Sequence, residues 1–316
     1  VFYRLGFLNL WVFKQHMGNI NLKEENMVEL HCHLDGSIRE SVLTKFLGHR
    51  PADIFFYKGM GLENALASFQ TTLGTLQTAD LVREAVFNLC LDLNMSGVYG
   101  GEIRFAPQLH YGNPVEEIVE AAVDGIWGNI NIILCGLYGE HPKVLDRLIE
   151  AAKLHDRVVG IDLAGAPLDS HRYALMDYSD AFTKARKYGL GRTVHAGEGR
   201  SSREIEVAIN FLHAQRIGHG LSVLDDHKTR DLVRQKDVLI EACLSSNYHT
   251  GCIDEYSDHP MKQWFENDIK FSLCTDNILL SQTTLEKEFH LARKYCGLTK
   301  DQIRQTQFWA KEALFS

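Results

Sequence analysis

No C-x-x-C pair occurs among the seven cysteines, which stand at 32, 90, 135, 243, 252, 274 and 296. An odd, widely spread set argues against a disulfide framework or a zinc knuckle and reads as buried thiols in a reducing compartment. Basic charge is not in excess: 33 Lys and Arg stand against 41 Asp and Glu, a formal net charge of -8. That balance argues against a nucleic-acid partner, which calls for a basic face. No apolar run reaches bilayer length. The first 13 residues (VFYRLGFLNLWVF) are apolar, but Arg4 and Asn9 interrupt them and Lys14 follows. Neither a membrane span nor a cleavable signal is expected from that stretch. Met17 and Met27 each offer a start, so residues 1–26 are set apart as an N-terminal extension and residues 27–316 are read as one domain. A cytoplasmic location is the corresponding expectation. Hydrophobic residues make up 45% and charged residues 23%, enough apolar surface to exclude disorder.

Short apolar, β-branched runs recur, with helical patterns between them. Strands are predicted over residues 28–32, 100–105, 130–137, 158–163, 191–194, 216–218, 238–242 and 270–274. From the second onward their centres lie roughly 23 to 33 residues apart, the length of one strand-helix repeat. Helices are predicted over 114–127, 142–155, 178–188, 202–212 and 226–235. Asn113 before Pro114 suggests a helix cap, and Thr299 with Gln302 a capping box opening a last helix through Lys311. This alternation predicts a (β/α)8 TIM barrel, with an open doubly wound sheet as the alternative. The long first interval holds extra helices, over 62–76 and 79–93, expected to form a lid above the barrel mouth. Leu62, Leu66 and Phe69 share one helical face there. Core packing is the plainer reading of that stripe, and a hydrophobic gate over a ligand the sharper one.

Chemistry concentrates at the strand ends. In E-L-H-C-H-L-D-G over 29–36, side chains alternate along the strand, so His31 and His33 point the same way and can share a metal. His195 ends the fifth strand, His219 follows the sixth and Asp276 follows the eighth. Barrel closure would bring all of them to one mouth. Three neutral imidazoles and one carboxylate suit Zn²⁺ with an open position for water. The H-E-x-x-H, P-loop, G-x-S-x-G and G-x-G-x-x-G motifs are all missing, as is the H-x-E with P-C-x-x-C pattern of the cytidine-type deaminases.

The segments ELHCHLDGS (29–37), GEIRFAP (101–107), VGIDLAG (159–165), HAGE (195–198), RIGHG (216–220), EACLSSN (241–247) and SLCTDN (272–277) together resemble the adenosine deaminases of the metal-dependent amidohydrolase superfamily, in the family's order. Segments such as Leu76-Gln77-Thr78 are similar to bacterial members. The resemblance implies that His31, His33, His195 and Asp276 hold one Zn²⁺ per chain, with His33 also on the substrate side. It implies hydrolytic replacement of the 6-amino group of a purine nucleoside, adenosine or 2′-deoxyadenosine, with release of ammonia.

Within that resemblance, His219 would orient or deprotonate the attacking water and stabilise developing charge, and Asp276 would aim it. Glu198 would have to be protonated to donate to purine N1, which a dry setting beside a ring makes possible. Asp35 would accept from the ribose 5′-hydroxyl, and the Gly165 N–H would reach N3. Taken alone, Glu198 reads as a helix-cap carboxylate near Ser201 and Ser202, His219 as a hydrogen-bonded core histidine, and Asp35-Gly36 as a turn. Asn277 departs from the animal enzymes, which carry a second aspartate there; an amide can donate to N7 at any pH. Ala65 replaces the family's usual large aromatic in the lid, which implies a roomier pocket. Adenine or aminodeoxyfutalosine is the alternative substrate: Asp35 and Asn277 favour a nucleoside over a free base, while Ala65 favours a bulkier ligand. A catalytically silent barrel would be expected to have lost Glu198 or a ligand, and neither is lost.

Overall fold

The structure, a computed structural model, describes residues 27–316 apart from Ala52 and Gly112, and of Leu62 it describes only the backbone. Eight strands run in chain order around one sheet: β1 (Met27–His33), β2 (Val98–Phe105), β3 (Ile130–Leu137), β4 (Val158–Ala164), β5 (Gly191–Ala196), β6 (Arg216–His219), β7 (Leu239–Ala242) and β8 (Phe271–Leu273). Every neighbouring pair is parallel. β8 and β1 meet through a single parallel bridge between Cys32 and Asp276. The barrel reading, not the open sheet, is the one observed.

All eight predicted strands are present, with ends shifted by at most two residues. The gains at the C-terminal ends have one cause. Buried strands read as near-continuous apolar runs, whereas the residues gained at their C-terminal ends, His33, Ala196 and His219, belong to the polar mouth. In β4 every residue is buried although Asp162 sits in its middle. The helix Lys143–Ala152 illustrates the outer ring: Leu145, Leu148, Ile149 and Ala152 recur at helical spacing and are buried. Each leucine or isoleucine so placed stabilises the fold by about 1.5–3 kcal/mol relative to exposure.

Three helices fill the long first interval: Glu40–Leu47, Leu62–Thr75 and Ala79–Met95. The first has no counterpart in the sequence reading, since its eight residues bury only Leu43 and leave little periodicity. The cap suggested at Asn113 is not formed. The helix Val115–Asp124 begins after Pro114 with no side-chain cap, and the Asn113 amide donates to Glu117 instead. The capping box at Thr299 is formed in both directions, with Gln302 N–H to Thr299 Oγ1 at 3.2 Å and Thr299 N–H to Gln302 Oε1 at 2.9 Å. No helix among the described residues is long and apolar enough to cross a membrane. The 1–26 extension lies outside the described residues.

Candidate active site

Four side chains converge at the C-terminal end of the barrel. His31 Nε2 is 3.2 Å from His33 Nε2, which is 3.2 Å from His195 Nε2. Asp276 Oδ1 lies 3.4 Å from His31 Nε2 and 3.5 Å from His33 Nε2. Four ligands at the usual Zn–N and Zn–O lengths of ~2.0–2.1 Å around a tetrahedral ion stand about 3.3 Å apart. The His31–His33, His33–His195, Asp276–His31 and Asp276–His33 separations are those of donors that share one cation of that size.

Tautomers point the same way. His31 Nδ1 is 2.8 Å from Glu241 Oε2, and His195 Nδ1 is 3.0 Å from Asp162 Oδ2. A carboxylate beside Nδ1 keeps the proton there and leaves the Nε2 lone pair free. Lone pairs facing one another at 3.2 Å repel, and a shared cation removes the repulsion. Burial holds His33 well below the ordinary histidine range, with Asp276 opposing only in part. Neutral imidazole is the form a metal requires. Among the described residues ligand-type atoms form two overlapping groups, His31 with His33 and His195, and His31 with His219, Cys243 and Asp276. Burial pushes the Cys243 thiol far up, so it offers a protonated sulfur, which makes the second the poorer donor set.

His219 closes β6 with φ of 65° and Asp276 follows β8 with φ of 59°. Left-handed backbone at non-glycine residues costs of order 1–3 kcal/mol and clusters at functional sites. Here it turns both side chains toward the mouth. Asn247 Nδ2 lies 3.0 Å from His219 Nδ1. With the amide donating, the neutral ring carries its proton on Nε2, 3.7 Å from Glu198 Oε2. Burial also pushes His219 well down. Both plain readings fail in part: His219 is hydrogen-bonded yet faces the cavity, and Glu198 caps no helix. Burial, and then the Asp276 carboxylate, push the Glu198 carboxyl up to about 7.

Above this cluster opens a cavity of about 840 Å³ that continues into solvent. His33, Asp35, Gly165, His195, Glu198, His219, Asp276 and Asn277 all line it. His31 lies just beneath. Asp35-Gly36 is a turn, as its plain reading had it, and it also carries Asp35 to the cavity wall. Burial pushes Asp35 up to about 7. A Cβ on Gly36 would come within 1.8 Å of Asn277 Oδ1, so glycine is what lets that amide sit there. Gly165 has φ of 79°, a backbone state open to glycine at little cost. Ala65, Leu66 and Phe69 of the lid helix line the cavity roof, which favours the gate reading of that stripe; the Leu62 side chain lies outside the described residues.

Sequence reasoning missed the groups that hold the site. Arg104 bridges both carboxylates, with Nη1 2.9 Å from Asp162 and Nη2 2.9 Å from Glu241. These guanidinium and imidazole partners outweigh burial and keep Glu241 well below the usual carboxylate range. A signal was present: a charged residue inside a continuous apolar strand run, as in VVGIDLA or LIEA, is almost never buried unpaired.

A parallel eight-stranded barrel with three histidines and an aspartate gathered at its C-terminal mouth is an enzyme architecture with a candidate metal site. The adenosine deaminase family model matches residues 27–315, and the chain belongs to that family. An adenosine deaminase of Clostridium botulinum (strain 657 / Type Ba4) is 30% identical over 322 residues, covering 94% of this chain and 96% of the relative. One from Clostridium perfringens is 32% identical over 321 residues, covering 94% and 96%. Among solved structures, an amidohydrolase from Burkholderia ambifaria with bound Zn superposes with a TM-score of 0.83 at 19% identity, covering 96% of this chain and 90% of that one. Adenine deaminase from Arthrobacter aurescens gives 0.81 at 20%, covering 92% and 94%. Arabidopsis ADAL in complex with IMP gives 0.82 at 22%, covering 93% of each. These three likenesses concern the fold. With the family, the chain is a hydrolytic deaminase.

Proposed function

We propose that the protein is a zinc-dependent enzyme that converts adenosine and 2′-deoxyadenosine to inosine and 2′-deoxyinosine with release of ammonia, in purine salvage. One observation carries the reading: three Nε2 atoms and a carboxylate oxygen, with neighbouring donors 3.2 to 3.5 Å apart, stand beside a buried carboxyl poised near neutrality. One Zn²⁺ per chain would be held by His31, His33, His195 and Asp276. When bound, such an ion supplies a water acidic enough to act as nucleophile near neutral pH.

The chain's own groups do the rest. Asp276 uses its other oxygen to orient the attacking water toward C6. His219 Nε2 holds that water and stabilises the charge that develops on its oxygen. Glu198, protonated, donates to N1, so electrons leaving the C6=N1 bond settle on a nitrogen that gains a proton. Water adds at C6; one of its protons replaces the one Glu198 gave to N1 and the other leaves with the amino group as ammonia, so atoms and charge balance. Asn277 donates to N7 and the Gly165 N–H to N3, while Asp35 engages the 5′-hydroxyl and His33 flanks the purine.

Among the described residues, no lysine or arginine lines the cavity. A nucleotide phosphate entering it would meet Asp35 with no counter-charge, which favours nucleosides over nucleotides. Adenine or aminodeoxyfutalosine is the second reading: the alanine at 65 leaves room for the bulkier aminodeoxyfutalosine, and the fold is shared with an adenine deaminase. All seven cysteines are free, in keeping with a cytoplasmic location. Residues 27–316 would form the single catalytic domain, with 1–26 as an extension.

Zinc-loaded protein should deaminate adenosine with kcat/KM at least ten-fold above that for adenine, aminodeoxyfutalosine or AMP. Chelation should abolish turnover and Zn²⁺ should restore it. No turnover of adenosine by a zinc-loaded sample would end the reading.

A further inference from the structure

A line of buried contacts runs from the bottom of the barrel to the metal-type cluster at its top. Phe315 packs against the N-terminal ends of β4 and β5, so closely that a Cβ on Gly191 would meet its ring at 2.1 Å. Its backbone N–H donates to Glu102 Oε1 at 2.6 Å. Its ring centre lies 3.7 Å from the Arg216 guanidinium carbon. Arg216 Nη2 is 2.5 Å from Glu102 Oε2, and its Nε is 2.8 Å from Glu241 Oε1. Glu241 Oε2 in turn meets His31 Nδ1 at 2.8 Å. Glu102, Arg216, Glu241 and His31 are each at most 1% exposed.

We propose that Phe315 is a positioning residue: by covering Arg216 it fixes, through Glu241, the direction and basicity with which His31 offers Nε2 to a cation. Ion pairs in a dry interior are several-fold stronger than the same pairs exposed to water. The Phe315 ring is the lid on this one. Remove it, and water reaches the Arg216–Glu102 pair and the arginine gains freedom to move. Glu241 then keeps, besides His31, only Arg104 at 2.9 Å and the Thr193 hydroxyl at 3.1 Å to fix it. The outer partner of a ligating histidine sets ring orientation and metal affinity, and its loss costs about 10–100-fold. Because Arg104 remains, the low end of that range is expected. Chain connectivity offers no hint of the link, since Phe315 approaches from the face opposite the cavity.

The inference rests on His31 being a metal ligand, and the test separates the two. Zinc affinity of the whole protein is measured by competition with a chromophoric chelator, beside thermal unfolding of the metal-free form. Phe315→Ala should weaken zinc binding about ten-fold, and Phe315→Tyr, which keeps the ring, should stay within about two-fold of the parent. Leu148→Ala, a buried change in the outer helical ring, should lower the unfolding temperature and leave affinity unmoved. Parent-like affinity in Phe315→Ala, or an equal loss in Leu148→Ala, overturns the proposal. Should Phe315→Ala not fold, Arg216→Lys takes its place: it keeps the charge and loses the Nε contact, so an unchanged affinity there is equally fatal. A parent protein that binds no zinc would instead sink the metal-site reading.

Discussion

The backbone of Asp276 is hydrogen-bonded on both sides to the two histidines it stands beside. Its N–H donates to the His31 carbonyl at 2.8 Å, and its carbonyl accepts from the His33 N–H at 2.7 Å. These two bonds are the seam that closes the barrel between β8 and β1, so fold closure and cluster assembly are one event. Glu29 reinforces the seam. Its Oε2 accepts from the Thr275 hydroxyl at 2.8 Å and its Oε1 from the His31 N–H at 2.9 Å. A register slip there would turn His31 and His33 to the opposite face.

Glu198→Gln tests the acid. The amide keeps the shape and can donate, but it cannot deliver and recover a proton. Turnover should fall by about 10²–10⁴-fold, the usual worth of a positioned acid or base. Zinc content should match the parent. A variant within about ten-fold of parental kcat would remove Glu198 from the mechanism.

The pH profile follows from the same carboxyl. Its pKa is raised from 4.5 to about 7, so it is protonated below that value and ionised above it. Activity that needs the proton should decline as pH rises through about 7. The linked stability has the same sign. In the metal-free protein it is fully present below the unfolded value and lost as pH rises through the folded one. The residual activity of Glu198→Gln should lack that alkaline decline, and a profile with the decline unchanged would assign it to another group.

Glu241→Gln and Asp162→Asn address the support behind His31 and His195. Each exchange removes a charge paired with Arg104 and weakens the hold on the Nδ1 proton. Zinc affinity should fall about 10–100-fold, read by chelator competition. Stability should fall too, because a buried guanidinium loses a partner, by about 3–5 kcal/mol. Unaltered affinity would relegate these carboxylates to packing.

Gly36→Ala probes substrate contact without touching the cluster. Its new Cβ would displace the Asn277 amide, so one donor to the base is lost. A drop in kcat/KM for adenosine of about ten-fold or more is expected from a contact worth 1–3 kcal/mol. Metal content should be unchanged. Parental kcat/KM would mean that Asn277 does not read the base.

How much of this was legible beforehand depended on range. Strand and helix positions follow from the spacing of apolar residues along a few turns, so the eight strands and the outer helices could be read directly. The helix Glu40–Leu47 could not, because it buries a single side chain. His31 and His33 declared themselves as a strand-end pair. Strand-end position alone does not separate His195 from His219; the family resemblance gave them different roles, and the structure gives them different partners at Nδ1, Asp162 for one and Asn247 for the other.

The amino-acid order by itself determined which residue types end each strand and that strands alternate with helices, because local periodicity acts over neighbouring positions. The tertiary structure alone decided which of those ends meet. Glu29 and Thr275 are separated by 246 positions, and no local pattern records that distance; barrel closure does. It also decided which buried carboxylate pairs with which arginine, since charges removed from water must find partners in space wherever the chain brings them.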